Sequence, residues 1–306
     1  MMNTEMSIKK QGNASGKFKL ACQQIVAGGT AGFVEVSLMQ PLDLIKTRFQ
    51  IQSIHTEQYS SIGDCIKKIY QNEGILSFYK GILPPILADV PKRATKFFTF
   101  EQYKQLFSFG APSPTALSFT LAGLASGVTE GFLINPFEVV KVRLQAENQV
   151  FSKQISAWSM AKVIVHENGF GLSGLNKGLT STLFRHGIFN MIYFSFYHNI
   201  KGYMKPYQDK KLEFLRKFMI GLTGGSIASC INIPFDVAKS RIQGPQPTAG
   251  HIKYKTCLRT IHTVYVEEGV KALYKGLLPK MLRLGPGGAI MLLVNEHVLD
   301  WLQNNT

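Results

Sequence analysis

Charge is scarce in this sequence: 17% of its 306 residues are Asp, Glu, Lys or Arg, against about 25% in an average globular chain. Acid is scarcer than base, 19 residues against 34. Cysteine is scarce too. Cys22, Cys65, Cys230 and Cys257 show no CxxC spacing and no metal-type pairing with histidine, which excludes a disulfide framework and a zinc site. They are expected to be free, buried thiols. No run of about 20 residues is wholly apolar, so a simple spanning segment is absent. What remains is buried core helices or membrane helices that face a wet, polar interior. The N-terminus MMNTEMSIKKQGNASGKFKL has no apolar stretch of secretory type, so any organellar address is internal. No nucleophile sits with a base and no carboxylates pair outside the repeats described below, so no enzyme chemistry is expected, and no metal or cofactor.

What is abundant points toward lipid. Hydrophobic residues make up 45% of the chain, with 28 glycines and 21 phenylalanines. The net charge of +15 is spread along the chain and accompanies no nucleic-acid motif. No nucleic-acid partner is therefore expected; an anionic lipid surface or a small anionic substrate fits better.

The chain repeats itself. PLDLIKTRFQ begins at Pro41, PFEVVKVRLQ at Pro136 and PFDVAKSRIQ at Pro234, spaced 95 and 98 residues apart. Each has an acid two residues after the proline, a base five after, an arginine seven after and a glutamine nine after. Downstream, EGILSFYKG, FGLSGLNKG and EGVKALYKG end on Gly81, Gly178 and Gly276. Upstream, a GxxxG recurs in register as Gly28 and Gly32, Gly123 and Gly127, Gly221 and Gly225, a pattern for close helix packing in lipid. After a polar tail at 1–19, repeats cover 20–108, 113–204 and 212–302. Each holds two long helices, near 20–50, 80–104, 115–145, 178–203, 213–243 and 276–302, with a short amphipathic segment between. Pro41, Pro136 and Pro234 are expected to kink the first helix of each repeat, since proline removes a backbone donor and crowds the preceding turn.

Three in-register copies of this pattern resemble the mitochondrial carrier family over nearly the whole chain. The resemblance implies an all-α membrane protein: a pseudo-three-fold bundle of six transmembrane helices, with short amphipathic helices at the matrix surface. It implies an antiporter of the inner membrane working as a monomer by alternating access, with cardiolipin at the glycines that open the second, fourth and sixth long helices, Gly81, Gly178 and Gly276. The plain alternative for those glycines is a turn. At finer grain, GILPPILADVPKRATKFFTFEQY, NKGLTSTLFRHGIFNMIYF and INIPFDVAKSRIQGPQP resemble family members that exchange oxodicarboxylates such as 2-oxoadipate and 2-oxoglutarate, feeding lysine and tryptophan catabolism. Another keto- or dicarboxylate exchanger of the family is the alternative.

The acid and base of each copy, Asp43 and Lys46, Glu138 and Lys141, Asp236 and Lys239, share a helix face. They form either three local surface pairs or, across the three-fold axis, one ring, which the resemblance makes the matrix gate. A second ring, on the second, fourth and sixth long helices, is incomplete. Glu101 and Lys104 fit it in FEQYK, His198 replaces the acid before Lys201 in YHNIK, and Glu296 has Leu299 where its base belongs. This cytoplasmic gate is expected to be the weaker one.

Residues that break the symmetry are expected to serve an asymmetric substrate. Seven residues after each repeat glycine come Ala88, Arg185 and Arg283; eight after come Asp89, His186 and Leu284. Two arginine forks at one depth suit a dicarboxylate, because guanidinium binds carboxylate bidentately. The resemblance places Arg185, His186 and Arg283 at substrate contacts. The competing reading is that either arginine pairs with a buried acid such as Glu35 or Glu130, and that His186 only holds Arg185. Asn190 lies one turn beyond His186 and lines the same face. Glu35, Glu130, Asp89, Lys92, Arg93 and Lys96 are asymmetric with roles open between charge balance and proton coupling.

Overall fold

In the computed structural model the described residues are 2–52, 59–108, 114–204, 207–247 and 252–305. In the first helix, side chains are described at Gln23 and from Val26 onward; Lys210, Lys211 and Asn305 are described by backbone alone. The regular structure among those residues is helical, without strands. The long helices are α1 (Met2–Ile51), α3 (Leu83–Leu106), α4 (Ala116–Ala146), α6 (Leu179–Tyr203), α7 (Lys210–Gln243) and α10 (Leu277–Asn305). Between them lie α2 (Ile62–Glu73), α5 (Ala157–Asn168), α8 (Cys257–Glu268) and the single turn α9 (Val270–Leu273). Each long helix packs against the next around a closed circle, and α10 returns to α1. The stretches Ala116–Ala146, Leu212–Gln243 and Val270–Asn304 are long and apolar enough to cross a membrane. The helices around them carry more charge because the charge faces the centre of the circle. α1 runs unbroken to Met2, where the sequence suggested a separate polar tail.

Each short helix docks on the end of the long helix before it: α2 on α1, α5 on α4 and α8 on α7. Ser61 and Ser156 cap α2 and α5 by accepting from the backbone N–H of Asp64 and Ser159, both at 3.1 Å, which satisfies otherwise unpaired donors. α2 buries Cys65 and Ile69 against Leu44 and Ile45 of α1. α5 buries Met160 and Ile164 against Val139 and Leu144 of α4, and α8 buries Val264 near Ile242 of α7. Their outer faces leave Tyr70, Trp158 and Leu258 exposed, which suits a membrane surface. Burial holds the Cys65 thiol in its protonated form, pushing its pKa up to about 12. Cys65 and Cys257 are free and buried as expected, but Cys230 is exposed, because its face of α7 points out of the bundle. Cys22 lies outside the described side chains.

The prolines sit inside continuous helices. The GxxxG pairs behave unequally. A Cβ on Gly127 would come within 2.3 Å of the His186 carbonyl oxygen, and one on Gly123 within 2.7 Å of that of Asn190, so α4 and α6 approach backbone to backbone. A Cβ on Gly28, Gly221 or Gly225 would meet only side-chain atoms at 3.6–4.0 Å, and one on Gly32 would meet the Asp89 carboxylate. Close packing therefore belongs to the second repeat, where Phe100, Ala122 and Phe194 fasten α3, α4 and α6 together.

The three glycines after the short helices correct the repeat register. Gly74, Gly169 and Gly269 end α2, α5 and α8 with φ of 84°, 73° and 79°, a region that L side chains rarely adopt. The equivalent of Glu73 and Glu268 is thus Asn168, not Phe170; the second repeat carries two extra residues before Gly178. This matters because the acid ties two corners of the bundle. Glu73 accepts from Arg48 Nη2 at 2.7 Å and from Lys80 Nζ at 2.5 Å. Arg48 also donates to Tyr59 Oη at 2.9 Å and to the carbonyls of Gln145 and Glu147 in the next repeat at 3.2 and 2.9 Å. Arg241 repeats this with Glu268 at 2.8 Å, Tyr254 Oη at 3.0 Å, and the carbonyls of Gln50 and Gln52 at 3.1 and 2.9 Å.

Burial alone would raise the Glu73 carboxyl, but the hydrogen bonds from Arg48 and Lys80 outweigh it and hold the group below its ordinary value of 4.5. A depressed native pKa adds stability above the unfolded value that is lost as pH falls through the native one. Glu73→Gln should leave two buried cations without their acid and cost about 3–5 kcal/mol. Thermal unfolding of the detergent-solubilised protein should show a lower midpoint for the variant, with the gap narrowing as pH drops below 4.5.

Candidate functional site

At the end where α1, α4 and α7 carry their acid and base, the six charged residues meet across the axis. Lys141 Nζ donates to Asp43 Oδ2 at 2.8 Å, Lys46 Nζ to Asp236 Oδ2 at 3.1 Å, and Lys239 Nζ lies 3.1 Å from Glu138 Oε2. Every one of these pairs joins two different repeats. None is a local pair within one helix. The arrangement follows from the sequence offsets: acid and base three residues apart project from the same turn, and the three-fold circle puts each base beside its neighbour's acid.

The helices α3, α6 and α10 open at Gly81, Gly178 and Gly276, with φ of 64°, 70° and 82°. A Cβ on Gly81 would meet the Lys141 carbonyl at 3.1 Å, and one on Gly276 the Lys46 carbonyl at 3.2 Å. Both a left-handed turn and close approach to the ring-bearing helix require glycine there. The repeat glutamines lie beneath the ring and are buried. Gln50 accepts from Ser240 at 2.8 Å, and Gln243 donates to Asn135 at 3.1 Å.

Each ring acid holds a second cation from α6 or α10. Arg283 Nη1 donates to Asp43 at 2.8 Å, Lys280 Nζ to Asp236 at 2.6 Å, and Arg185 binds Glu138 while its Nε lies 3.6 Å from Asp236. Arg283 Nη2 also reaches Glu35 at 3.1 Å. Both arginines are therefore already engaged by carboxylates, where the sequence alone left open whether they faced a vacant cavity or a buried acid. His186 Nδ1 lies 2.9 Å from Glu130, and Asn190 donates to Glu130 at 2.7 Å. These two residues are buried against α4 and serve Glu130 more than the open lumen, because the close α4–α6 contact turns them inward. Asp89 is bound by Arg93 at 2.8 Å, and Arg93 also bridges to Glu35 at 2.7 Å. Lys92 stands 4.0 Å from Glu130. Lys96 faces the rings of Phe194 and Tyr193 at 5.4 and 5.6 Å, a cation–π environment.

Ala88, Asp89, Arg185 and Arg283 line one central cavity of about 130 Å³ floored by the ring. Six cations line it (Lys46, Lys92, Lys141, Arg185, Lys239 and Arg283) against four carboxylates (Asp43, Asp89, Glu138 and Asp236). The surplus of two positive charges equals the charge of a dicarboxylate. Lys280 was missed in the sequence, although the same asymmetry marks it: four residues after the repeat glycine stand Pro85, Thr182 and Lys280.

At the opposite end the bundle forms no such ring among the described residues. Glu101 pairs with Lys104 on its own helix at 2.5 Å. His198 stacks on Phe119 with centroids 4.2 Å apart, Lys201 lies over Tyr197 at 5.9 Å, and Glu296 is exposed. Among the described residues, a ring of ion pairs closes the cavity at one end and no matching ring stands at the other.

Against known proteins, the family model described as "Mitochondrial carrier protein" matches residues 19–110, 113–208 and 210–306. A protein of Pongo abelii named mitochondrial 2-oxodicarboxylate carrier is 62% identical over 292 residues, 95% of this chain and 97% of the relative. Its Homo sapiens namesake is 62% identical over 287 residues, 93% and 96% of the two chains. A mitochondrial citrate transporter D of Aspergillus niger is 39% identical over 290 residues, 92% and 94%.

The second cation on each ring acid makes a testable difference. Exchanging Asp236→Lys with Lys46→Asp should not restore the ring, since Lys280 would then face a lysine. Adding Lys280→Gln should recover most of the lost thermal midpoint, and equal midpoints for the double and triple variants would show that Lys280 takes no part.

Proposed function

The chain belongs to the mitochondrial carrier family, as a multi-pass transporter of the mitochondrial inner membrane, and on that premise we propose that it exchanges 2-oxodicarboxylates of five to seven carbons by alternating access. The observation that carries the reading is the central cavity with its surplus of two positive charges, placed directly over a closed ring of inter-repeat ion pairs. The relatives named for 2-oxodicarboxylates support the substrate class.

The geometry suggests how binding couples to opening. Arg185 and Arg283 hold Glu138 and Asp43 before substrate arrives. A dicarboxylate entering from the open side offers them two new carboxylates at the same depth. As each fork turns to the substrate, its ring acid loses one of its two cations, and the ring weakens. Substrate binding thereby lowers the cost of breaking the ring, and an empty cavity keeps it closed, as exchange requires. His186 and Asn190 fix Glu130, which balances Lys92, and His186 also touches the Arg185 guanidinium. On this reading Asp43, Lys46, Glu138, Lys141, Asp236 and Lys239 are the matrix gate. The cytoplasmic gate of Glu101, Lys104, Lys201 and Glu296 is weaker, with His198 held by aromatic stacking in place of an acid.

Lipid contact fits the same frame. A surface cavity of about 470 Å³ lies between the first and third repeats, lined by Lys271, Lys275, Gly276 and Tyr59. Backbone donors at a helix start and two lysines suit a phosphate head group, and cardiolipin is the proposed occupant. The protein is proposed to work as a monomer, since the cavity is enclosed by one chain.

Liposomes loaded with 2-oxoglutarate and offered labelled 2-oxoadipate should show exchange, while ADP should not be taken up. Arg185→Ala and Arg283→Ala should each reduce exchange on the order of a hundredfold, the scale for removing one partner of a hydrogen-bonded charge pair. Absence of exchange with any oxodicarboxylate overturns the substrate, and full uptake by both variants overturns the site.

A further inference from the structure

The second repeat breaks the corner that the other two share. In the first and third repeats, the arginine seven residues after the proline is held by a tyrosine hydroxyl and a glutamate, and the lysine before the repeat glycine reaches the same glutamate: Lys80 at 2.5 Å and Lys275 at 3.8 Å. The second repeat keeps both cations, Arg143 and Lys177, and loses both partners. Gln154 stands where Tyr59 and Tyr254 stand, and its amide turns to the Leu144 carbonyl at 2.8 Å. Asn168 stands in place of Glu73 and Glu268, at the last position of α5, and is exposed.

Among the described residues neither cation is then paired with an acid. Arg143 Nε is buried and has no hydrogen-bond partner among the described residues. Burial, and next to it the Arg143 charge, push the Lys177 amine down to about 8. The corner also lacks the stitches to the following repeat that Arg48 and Arg241 make through backbone carbonyls; what joins it to α7 is Gln243 Nε2 donating to the Lys177 carbonyl at 3.2 Å.

We infer that Arg143 and Lys177 form a binding site for an oxyanion, a phosphate or carboxylate that takes the place of the missing glutamate at the corner between the second and third repeats. A guanidinium with an unpartnered, buried Nε and a neighbouring ammonium supply the donors that a multi-oxygen anion needs. The exposed Asn168 leaves the site open to solution at the ring end of the bundle. The occupant would tie the end of α4 to the start of α6, as Glu73 and Glu268 tie the other two corners internally. This site is separate from the central cavity, which contains neither residue.

The test uses the full-length protein purified in detergent, with thermal unfolding followed as inorganic phosphate replaces chloride at constant ionic strength, and separately as cardiolipin is added. The wild-type midpoint should rise saturably by a few degrees. Asn168→Glu should start higher and respond little to phosphate, and Lys177→Gln should respond little to phosphate without starting higher. A response to phosphate in lipid-free detergent assigns a dissolved anion; one seen only with cardiolipin, and reduced in Lys177→Gln, assigns a lipid head group. A wild-type midpoint flat to both additions overturns the site. So does a response in Lys177→Gln equal to that of the wild type, and this variant decides the matter if Asn168→Glu does not fold.

Discussion

Three ion pairs between repeats are the constraint on which the rest of the molecule depends. They draw α1, α4 and α7 to one point on the axis, and every other feature of that end accommodates the convergence. Glycine opens α3, α6 and α10 because its backbone must lie against the ring-bearing helix of the next repeat. The glutamines lie buried under the ring, and the short helices cover the flanks with apolar residues. Taking charges out of water is costly unless each is paired and hydrogen-bonded. Here every ring acid has two cations, so each ring carboxylate is charge-paired within the protein.

That second set of cations departs from three-fold symmetry. Two are arginines and one is lysine, and the two arginines also line the central cavity. The same side chains therefore belong to the ring and to the proposed substrate site. A polar interior of this kind explains the chain's mixed composition. The outer faces are apolar enough for lipid, while the lumen concentrates charge that a hydropathy profile counts against the helices. The opposite end shows the converse. Without complementary charges across repeats among the described residues, it is held by Phe100, Phe119, Phe194 and His198 on one side of the circle.

Much of this was legible in the residue pattern, because a repeated motif constrains geometry three times over. The offsets from Pro41, Pro136 and Pro234 placed six charges on matching turns, and comparing copies singled out Arg185 and Arg283. Other features were not legible, for identifiable reasons. The equal GxxxG spacing gave no sign that only Gly123 and Gly127 meet another backbone, since approach depends on how far each helix pair splays. The two extra residues before Gly178 disguised Asn168 behind Phe170, and only the positive φ of Gly169 reveals the true end of α5. Lys280 carried the same asymmetry as the arginines but sits one turn nearer the ring.

By itself the sequence determined the three-fold plan, the membership of the ring and the family, because those rest on local periodicity and on like residues at like positions. Only the tertiary structure decided which acid each cation holds. Arg185 could reach Glu138, Glu130 or a substrate, and Arg283 could reach Asp43 or Glu35. The choice turns on distances of a few ångströms between helices distant in sequence, fixed by how tightly each pair packs. The unpartnered Nε of Arg143 is of the same kind: the loss of its glutamate becomes visible only when the two intact corners show where that acid stands.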